Sequence, residues 1–250
     1  MVTKFHIHFP NSSYRENFAD LFNDHLDNMT LMNFNMAADL IVYKLRLRTP
    51  LEMYRQFVSS AQLPYHNQYH TECMVANVFE GLCHEDVPSE FWRPAVLAAI
   101  SHDAFHTGGN HTDDINIVRA LDFLAATVNM CKYGEITISD WEHQVAKRMI
   151  EITQYPYVRE PNDHVEKIIR DADLMQPYEE DVDRLMNQYS GLKKEVEILK
   201  HQLYTSKEFA DGTRAFLDGI VWHTSWAQQK ATKLNWDEVK DRLVQVITNL

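Results

Sequence analysis

Residues 63–82 read LPYHNQYHTECMVANVFEGL and place His66 and His70 four positions apart, ahead of an apolar run at Val75, Val78, Phe79 and Leu82. On a helix, positions i and i+4 share a face, so both imidazoles point into one volume. Taken alone, such a pair fits satisfied core or surface histidines better than it fits metal ligands. A second stretch, AVLAAISHDAFHTGGNHTDD at 95–114, changes that balance. Its apolar helix ends in His102-Asp103, followed by His106, Gly108-Gly109 and Asn110. Burying a carboxylate there is costly unless a cation offsets its desolvation. Imidazole nitrogen and carboxylate oxygen are the donors expected of zinc, manganese, iron or magnesium sites. The adjacent glycines, in a chain with only 7, mark a backbone conformation or close approach that a side chain would block. A third stretch, VEKIIRDADLMQPY at 165–178, puts Asp173 at the end of an apolar helical stripe, just before Pro177. Asp171 is the competing carboxylate, two positions away and on a different face. The residues thus offer His70, His102, Asp103 and Asp173 as one ligand set with His66 and His106 nearby. Periodicity alone leaves open whether they meet in space.

Helices must position them. Ile115, Val118, Leu121 and Val128 follow a helical stripe, as do Val165, Ile168, Ile169 and Ala172, and Leu40, Tyr43, Lys44 and Leu47. The short KFHIHF run near the N-terminus is the one strand candidate. The expected fold is all-α, a compact multi-helix domain of about a dozen helices joined by short turns. Thr49-Pro50, Pro64, Pro88, Gly108-Gly109, Pro156, Pro161 and Pro177 punctuate helices and mark no linker. From Val182 through Leu185, Tyr189, Leu192, Val196 and Leu199 to Leu203, apolar residues alternate spacings of three and four, a coiled-coil seam. Two readings stay open for it: a helix hairpin broken at Ser190-Gly191, or a homodimer contact. Trp222 and Trp226 read as core. His6, His8, His84 and His143 read as surface or structural residues, and Asp113, Asp114 and Asp163 as helix-start carboxylates.

Composition narrows the function. Apolar residues make up 45% and charged ones 24% of 250 residues, which suits one globular domain. Cys73, Cys83 and Cys131 are too few and too irregularly spaced for a disulfide framework or a thiolate zinc site, and point to a reducing compartment, by default the cytoplasm. No run approaches the ~20 apolar residues that span a bilayer, so no membrane partner is expected. A net charge of −12 repels phosphate backbones, which argues against duplex nucleic acid. A phosphate-bearing ligand therefore needs a local source of positive charge, and bound metal can supply it.

These residues resemble the His-Asp (HD) superfamily of metal-dependent phosphohydrolases, and within it the catalytic domain of class I cyclic-nucleotide phosphodiesterases. Tyr65-His66-Asn67-Gln68-Tyr69-His70 matches that family's Tyr-His-Asn-x-x-His. His102-Asp103-Ala104-Phe105-His106-Thr107-Gly108-Gly109-Asn110 is similar to its His-Asp-x-x-His-Pro-Gly, with Asn following. Ala172-Asp173-Leu174-Met175-Gln176-Pro177 resembles Ala-Asp-Leu-Ser-Asn-Pro, and Ala215-Phe216-Leu217-Asp218-Gly219-Ile220-Val221 resembles Gly-Phe-Ile-Asp-x-Ile-Val. Motifs in that order, spread over residues 65–221, carry the resemblance.

It implies one HD-type phosphodiesterase domain over 1–250, with N-terminal helices in 1–62 packing on a metal-binding core at 63–226 and a C-terminal helix at 235–249. It implies two divalent ions, zinc plus magnesium or manganese, the tighter held by His70, His102, Asp103 and Asp173. Asp103 would bridge to the second ion, and His106 and Asn110 would support that region from behind. The implied reaction is hydrolysis of the 3′ phosphodiester bond of a cyclic mono-, di- or oligonucleotide. A hydroxide shared by the ions attacks phosphorus, and His66 is the general acid for the leaving oxygen. Phe216 would be the platform for the base, with Tyr65, Thr213 and Gln176 also on the substrate side. Thr213 stands where the family has a base-gripping glutamine, Gln176 where it has Asn, and Thr107 where it has Pro. His223 is displaced by one from the family's position. The chemistry-bearing residues are kept and the base-reading ones altered, which implies a substrate other than the ordinary cyclic mononucleotide. The alternatives are an HD-type nucleotidase and a protein that sequesters a cyclic nucleotide without turnover.

Overall fold

Asn67 starts the helix that carries His70. Its backbone is extended, and its side-chain oxygen accepts from the N–H groups of Tyr69 and His70. Those are two of the donors that a helix start leaves unpaired. The computed structural model describes residues 34–58, 63–132, 137–175 and 182–250. The helices are α1 (Phe34–Lys44), α2 (Arg48–Phe57), α3 (Gln68–His84), α4 (Trp92–Ser101), α5 (Asp113–Cys131) and α6 (Asp140–Glu151). They continue with α7 (His164–Asp173), α8 (Val182–Lys200), α9 (Ser206–Asp218), α10 (Ser225–Lys233) and α11 (Trp236–Thr248). A 3₁₀ turn, Ser89–Phe91, leads into α4. The all-α expectation holds: no strand occurs among the described residues. KFHIHF, His6, His8, Gln176 and Pro177 lie outside them. No helix of the described residues is long and apolar enough to cross a membrane.

The central element is α3, buried on every side from Thr71 to Cys83 and packed against α1, α4 and α7. A helix buried all round must neutralise its own carboxylates. Arg55 of α2 meets Glu72 at 2.7 Å, and Lys230 of α10 meets Glu80 at 2.6 Å. Val75, Val78, Phe79 and Leu82 are fully buried.

Two helices turn differently from their expected stripes. On α5 the buried positions include Ile117, Ala120, Leu124, Val128 and Cys131, while Ile115 and Val118 are exposed. Asn116 lies on the buried face, where its amide bonds with Thr107 and His106. On α1, Ala37, Ala38, Ile41 and Val42 are buried and Tyr43 is exposed. Small residues let α1 lie close on α3, and Tyr43 is on the other side.

The apolar residues form a large cluster built on α1 to α7 and the start of α10, and a smaller one from α8, α9 and α11. The seam residues of α8 divide accordingly. Leu185 and Tyr189 are buried in the smaller cluster, and Leu199 and Leu203 are exposed. The expected break at Ser190-Gly191 does not occur: α8 is one continuous helix. Gly191 serves close packing instead, since a Cβ there would lie 2.2 Å from Pro64 Cβ.

Candidate metal centre

His70 stands in the first turn of α3, His102 and Asp103 directly follow α4, and Asp173 is the last residue of α7. Backbone ends bring these side chains together because the three helices pack on one another. The Nε2 atoms of His70 and His102 are 3.2 Å apart, and each lies 3.1 Å from Asp103 Oδ2. Asp173 Oδ1 is 3.3 Å from the first and 3.5 Å from the second. His102 Nδ1 faces the Ala99 carbonyl at 2.9 Å, which places its proton on Nδ1 and leaves Nε2 with a lone pair. Asp103 Oδ2 is buried, with the two imidazole nitrogens at 3.1 Å as its polar neighbours.

Imidazole nitrogens and carboxylate oxygens that converge on one point fit a divalent cation by donor type and by burial. His70, His102 and Asp173 form one group with ligand atoms mutually within 4.8 Å, and His66, Asp103 and His106 form a second. The field of the pocket agrees with this. Burial alone would lower His70, but Asp103 and Asp173 outweigh it and push it up to about 9. The same balance raises His102. Burial would raise Asp173, and His102 and His70 instead bring it to about 2. The pocket thus attracts positive charge, and protons are what it collects when no cation is bound.

His66 lies on the stretch that leads into α3. Its Nδ1 is 2.6 Å from Glu195 Oε2 of α8, and the other oxygen of Glu195 accepts from the Tyr65 N–H at 3.3 Å. Burial would lower His66, but Asp103 and Glu195 together raise it. His106 stacks on the His66 ring at 3.6 Å. Burial, reinforced by the His66 charge, holds His106 down to about 3, so it is neutral. Asn116 Nδ2 donates to His106 Nε2 at 2.8 Å and to Asp113 Oδ1 at 3.1 Å.

The glycine pair explains how α8 comes so near. Gly108 and Gly109 have φ of 60° and 85°, the left-handed region that favours glycine. A Cβ on Gly109 would sit 2.0 Å from the Glu195 carbonyl oxygen. The backbone of the His106 loop therefore touches α8 at the residue that grips His66.

Among the residues expected to meet a substrate, the Tyr65 ring stacks on His70 at 5.5 Å and meets Tyr189 edge-on at 6.1 Å. Phe216 of α9 is 38% exposed, so it is not a core residue. Thr213, one turn earlier on the same helix, is buried on the face of Phe209, Ala210 and Leu217. Asn110 is exposed and donates to the Thr107 carbonyl at 2.7 Å, tying its own loop. Trp226 is buried in the large cluster, and Trp222 packs against it and against Trp236.

The competition between Asp171 and Asp173 has a structural answer. Asp171 is buried and accepts from the N–H groups of His223 and Thr224 and from the Thr224 hydroxyl at 2.7 Å. It anchors the start of α10 and takes no part in the cluster. Asp163 caps α7, accepting from the Glu166 N–H, whereas Asp113 at the start of α5 also accepts from the Tyr155 N–H at 2.6 Å.

Sequence reading misses Glu195 and Asn116. Glu195 falls in a charged stretch of the seam helix, 129 positions from His66, and no local spacing links them. Asn116 has one available signal, a polar residue between Ile115 and Ile117 on an amphipathic helix. Family models match no part of the chain, and among curated proteins no match is found.

Proposed function

We propose that this chain is an HD-type, metal-dependent phosphodiesterase that opens the 3′ phosphodiester bond of a cyclic nucleotide signal. The observation that carries this reading is the convergence of His70, His102, Asp103 and Asp173 on one point beside His66. A nucleotidase or a sequestering protein gives no reason for a separately gripped imidazole at that position. Asp103 supplies an oxygen near both groups of donors, which supports a role shared between two ions. Bound divalent ions would supply charge against the phosphodiester, which a chain of net charge −12 otherwise repels, and would acidify water.

The remaining work falls to side chains. Glu195 occupies Nδ1 of His66, which leaves Nε2 as the ring nitrogen that can face a substrate. Asp103 and Glu195 raise the affinity of His66 for protons, which favours the imidazolium form. His66 delivers its Nε2 proton to the leaving 3′ oxygen as the bond breaks, a contribution typically of ~10²–10⁴ in rate. Neutral His106, stacked on that ring and fixed by Asn116, holds the imidazolium in place without competing for its proton.

The test is hydrolysis of a panel of cyclic mono-, di- and oligonucleotides by purified protein with manganese or magnesium. Turnover is expected for one class, abolished by EDTA and reduced at least about a hundredfold in Asp103→Ala. Metal-bound protein that turns over no cyclic nucleotide but releases phosphate from a nucleoside monophosphate is a nucleotidase. Binding without turnover identifies a sequestering protein, and either result overturns the proposal.

A further inference from the structure

Aromatic residues that the chemistry above does not use lie beside the cluster. The connection between α6 and α7 carries Tyr155 and Tyr157, which are 52% and 38% exposed. Their rings meet edge-on at 5.4 Å, and Tyr155 meets Phe216 of α9 edge-on at 5.5 Å. Both tyrosines are tied toward the His–Asp cluster. The Tyr155 N–H donates to Asp113, which shares Asn116 with His106. The Arg170 guanidinium lies 3.7 Å over the Tyr157 ring, and Arg170 is one turn before Asp173 on α7.

The geometry points to Tyr155 and Tyr157 as a second base-stacking surface, which extends Phe216 into a shelf for a substrate with a base on either side of the phosphodiester, a cyclic di- or oligonucleotide. This inference rests on the phosphodiesterase reading. Neighbouring ring planes stand at 88° and 87°, so a base stacked on one ring cannot stack on the next. A cyclic mononucleotide would use a single ring and leave the others wet. Exposed aromatic faces are sequence-tolerant platforms, because every base has a π-face. Such platforms suit a site in which Thr213, at the position where the family has a base-gripping glutamine, is buried with Phe209, Ala210 and Leu217. Arg170 covers one face of Tyr157 and is itself held by the Ile152 and Arg159 carbonyls, so that ring is backed rigidly.

The test compares wild type, Tyr155→Ala and Tyr155→Phe on a cyclic dinucleotide, a cyclic mononucleotide and methyl 4-nitrophenyl phosphate, a diester without a base. Tyr155→Ala is expected to lose at least tenfold more kcat/KM on the cyclic dinucleotide than on the base-free diester. Tyr155→Phe should stay within about twofold of wild type, since the ring is what stacks. Isothermal titration of the linear dinucleotide product should show the same ranking in Kd. Equal losses on both diesters, or a wild-type preference for the cyclic mononucleotide, overturn the shelf and leave the phosphodiesterase standing. A wild-type protein that cleaves no diester overturns both.

Discussion

Asp171 and Asp173 sit two positions apart on α7, and their surroundings send them to different tasks. Asp171 is wholly enclosed by donors from the start of α10, whereas Asp173 faces two imidazoles and keeps part of its surface open. The same contrast holds for the histidines: His102 has a backbone carbonyl behind it and His66 a carboxylate. A carbonyl fixes a neutral tautomer whose lone pair can bind metal, while a carboxylate stabilises the charged ring that can donate a proton. Glu195→Gln tests that distinction, because it keeps the shape and removes the charge. Since a general acid contributes ~10²–10⁴ in all, kcat should fall by part of that factor, about tenfold to a hundredfold. Metal content measured by elemental analysis should stay at the wild-type level. Loss of metal together with kcat would instead put Glu195 in the metal cage.

At the scale of elements, the helices that carry the His–Asp cluster are legible in the sequence and the helix that closes over them is not. α3, α4 and α7 end or begin in motif residues, and their caps and stripes are local features that spacing records. Asn67 and Asp163 each cap a helix within three residues of their own position. The role of α8 depends on residues more than a hundred positions away, and its seam pattern reports only that part of it is buried. The buried face of α5 carries Asn116 with its partners Thr107 and His106, against a plausible apolar stripe on the other side. Glycines carry the remaining signal, since Gly109 and Gly191 stand where α8 meets the loops. Gly191→Ala would put a Cβ 2.7 Å from the Pro64 carbonyl carbon, and backbone cannot yield as a flexible side chain does. It should destabilise by about 1–3 kcal/mol in denaturant unfolding and lower kcat through Glu195. Gly212→Ala on α9, with nothing within 4 Å of the added carbon, should raise stability by about 0.5–1 kcal/mol. If both substitutions cost the same, close packing is not what Gly191 provides.

Across the whole molecule, the helices that position His70, His102, Asp103 and Asp173 contribute to the large cluster, whereas the helices that carry Glu195 and Phe216, α8 and α9, build the small one. His66 meets Glu195 where the small cluster packs on the large one, and α10, with Trp226 in the large cluster and α11 directly after it, is one covalent bridge between them. Glu85, at the C-terminal end of α3, holds that bridge. It accepts from the Ser225 hydroxyl, the Trp226 N–H and His164 of α7. Burial alone would raise its pKa, but His84, Ser225, the Trp226 N–H and His164 bring it from the ordinary 4.5 to about 2. A carboxyl with a depressed folded-state pKa binds its proton more readily in the unfolded chain, so its stabilisation is complete above pH 4.5 and drains away toward pH 2. Glu85→Gln lacks that contribution at every pH. The stability gap between wild type and Glu85→Gln, read from urea midpoints, should be full near pH 5, where His84 is charged, and close as pH falls toward 2. A gap that stays constant through that window would mean that Glu85 holds α10 by shape alone, and that its charge adds nothing to the docking of the start of α10.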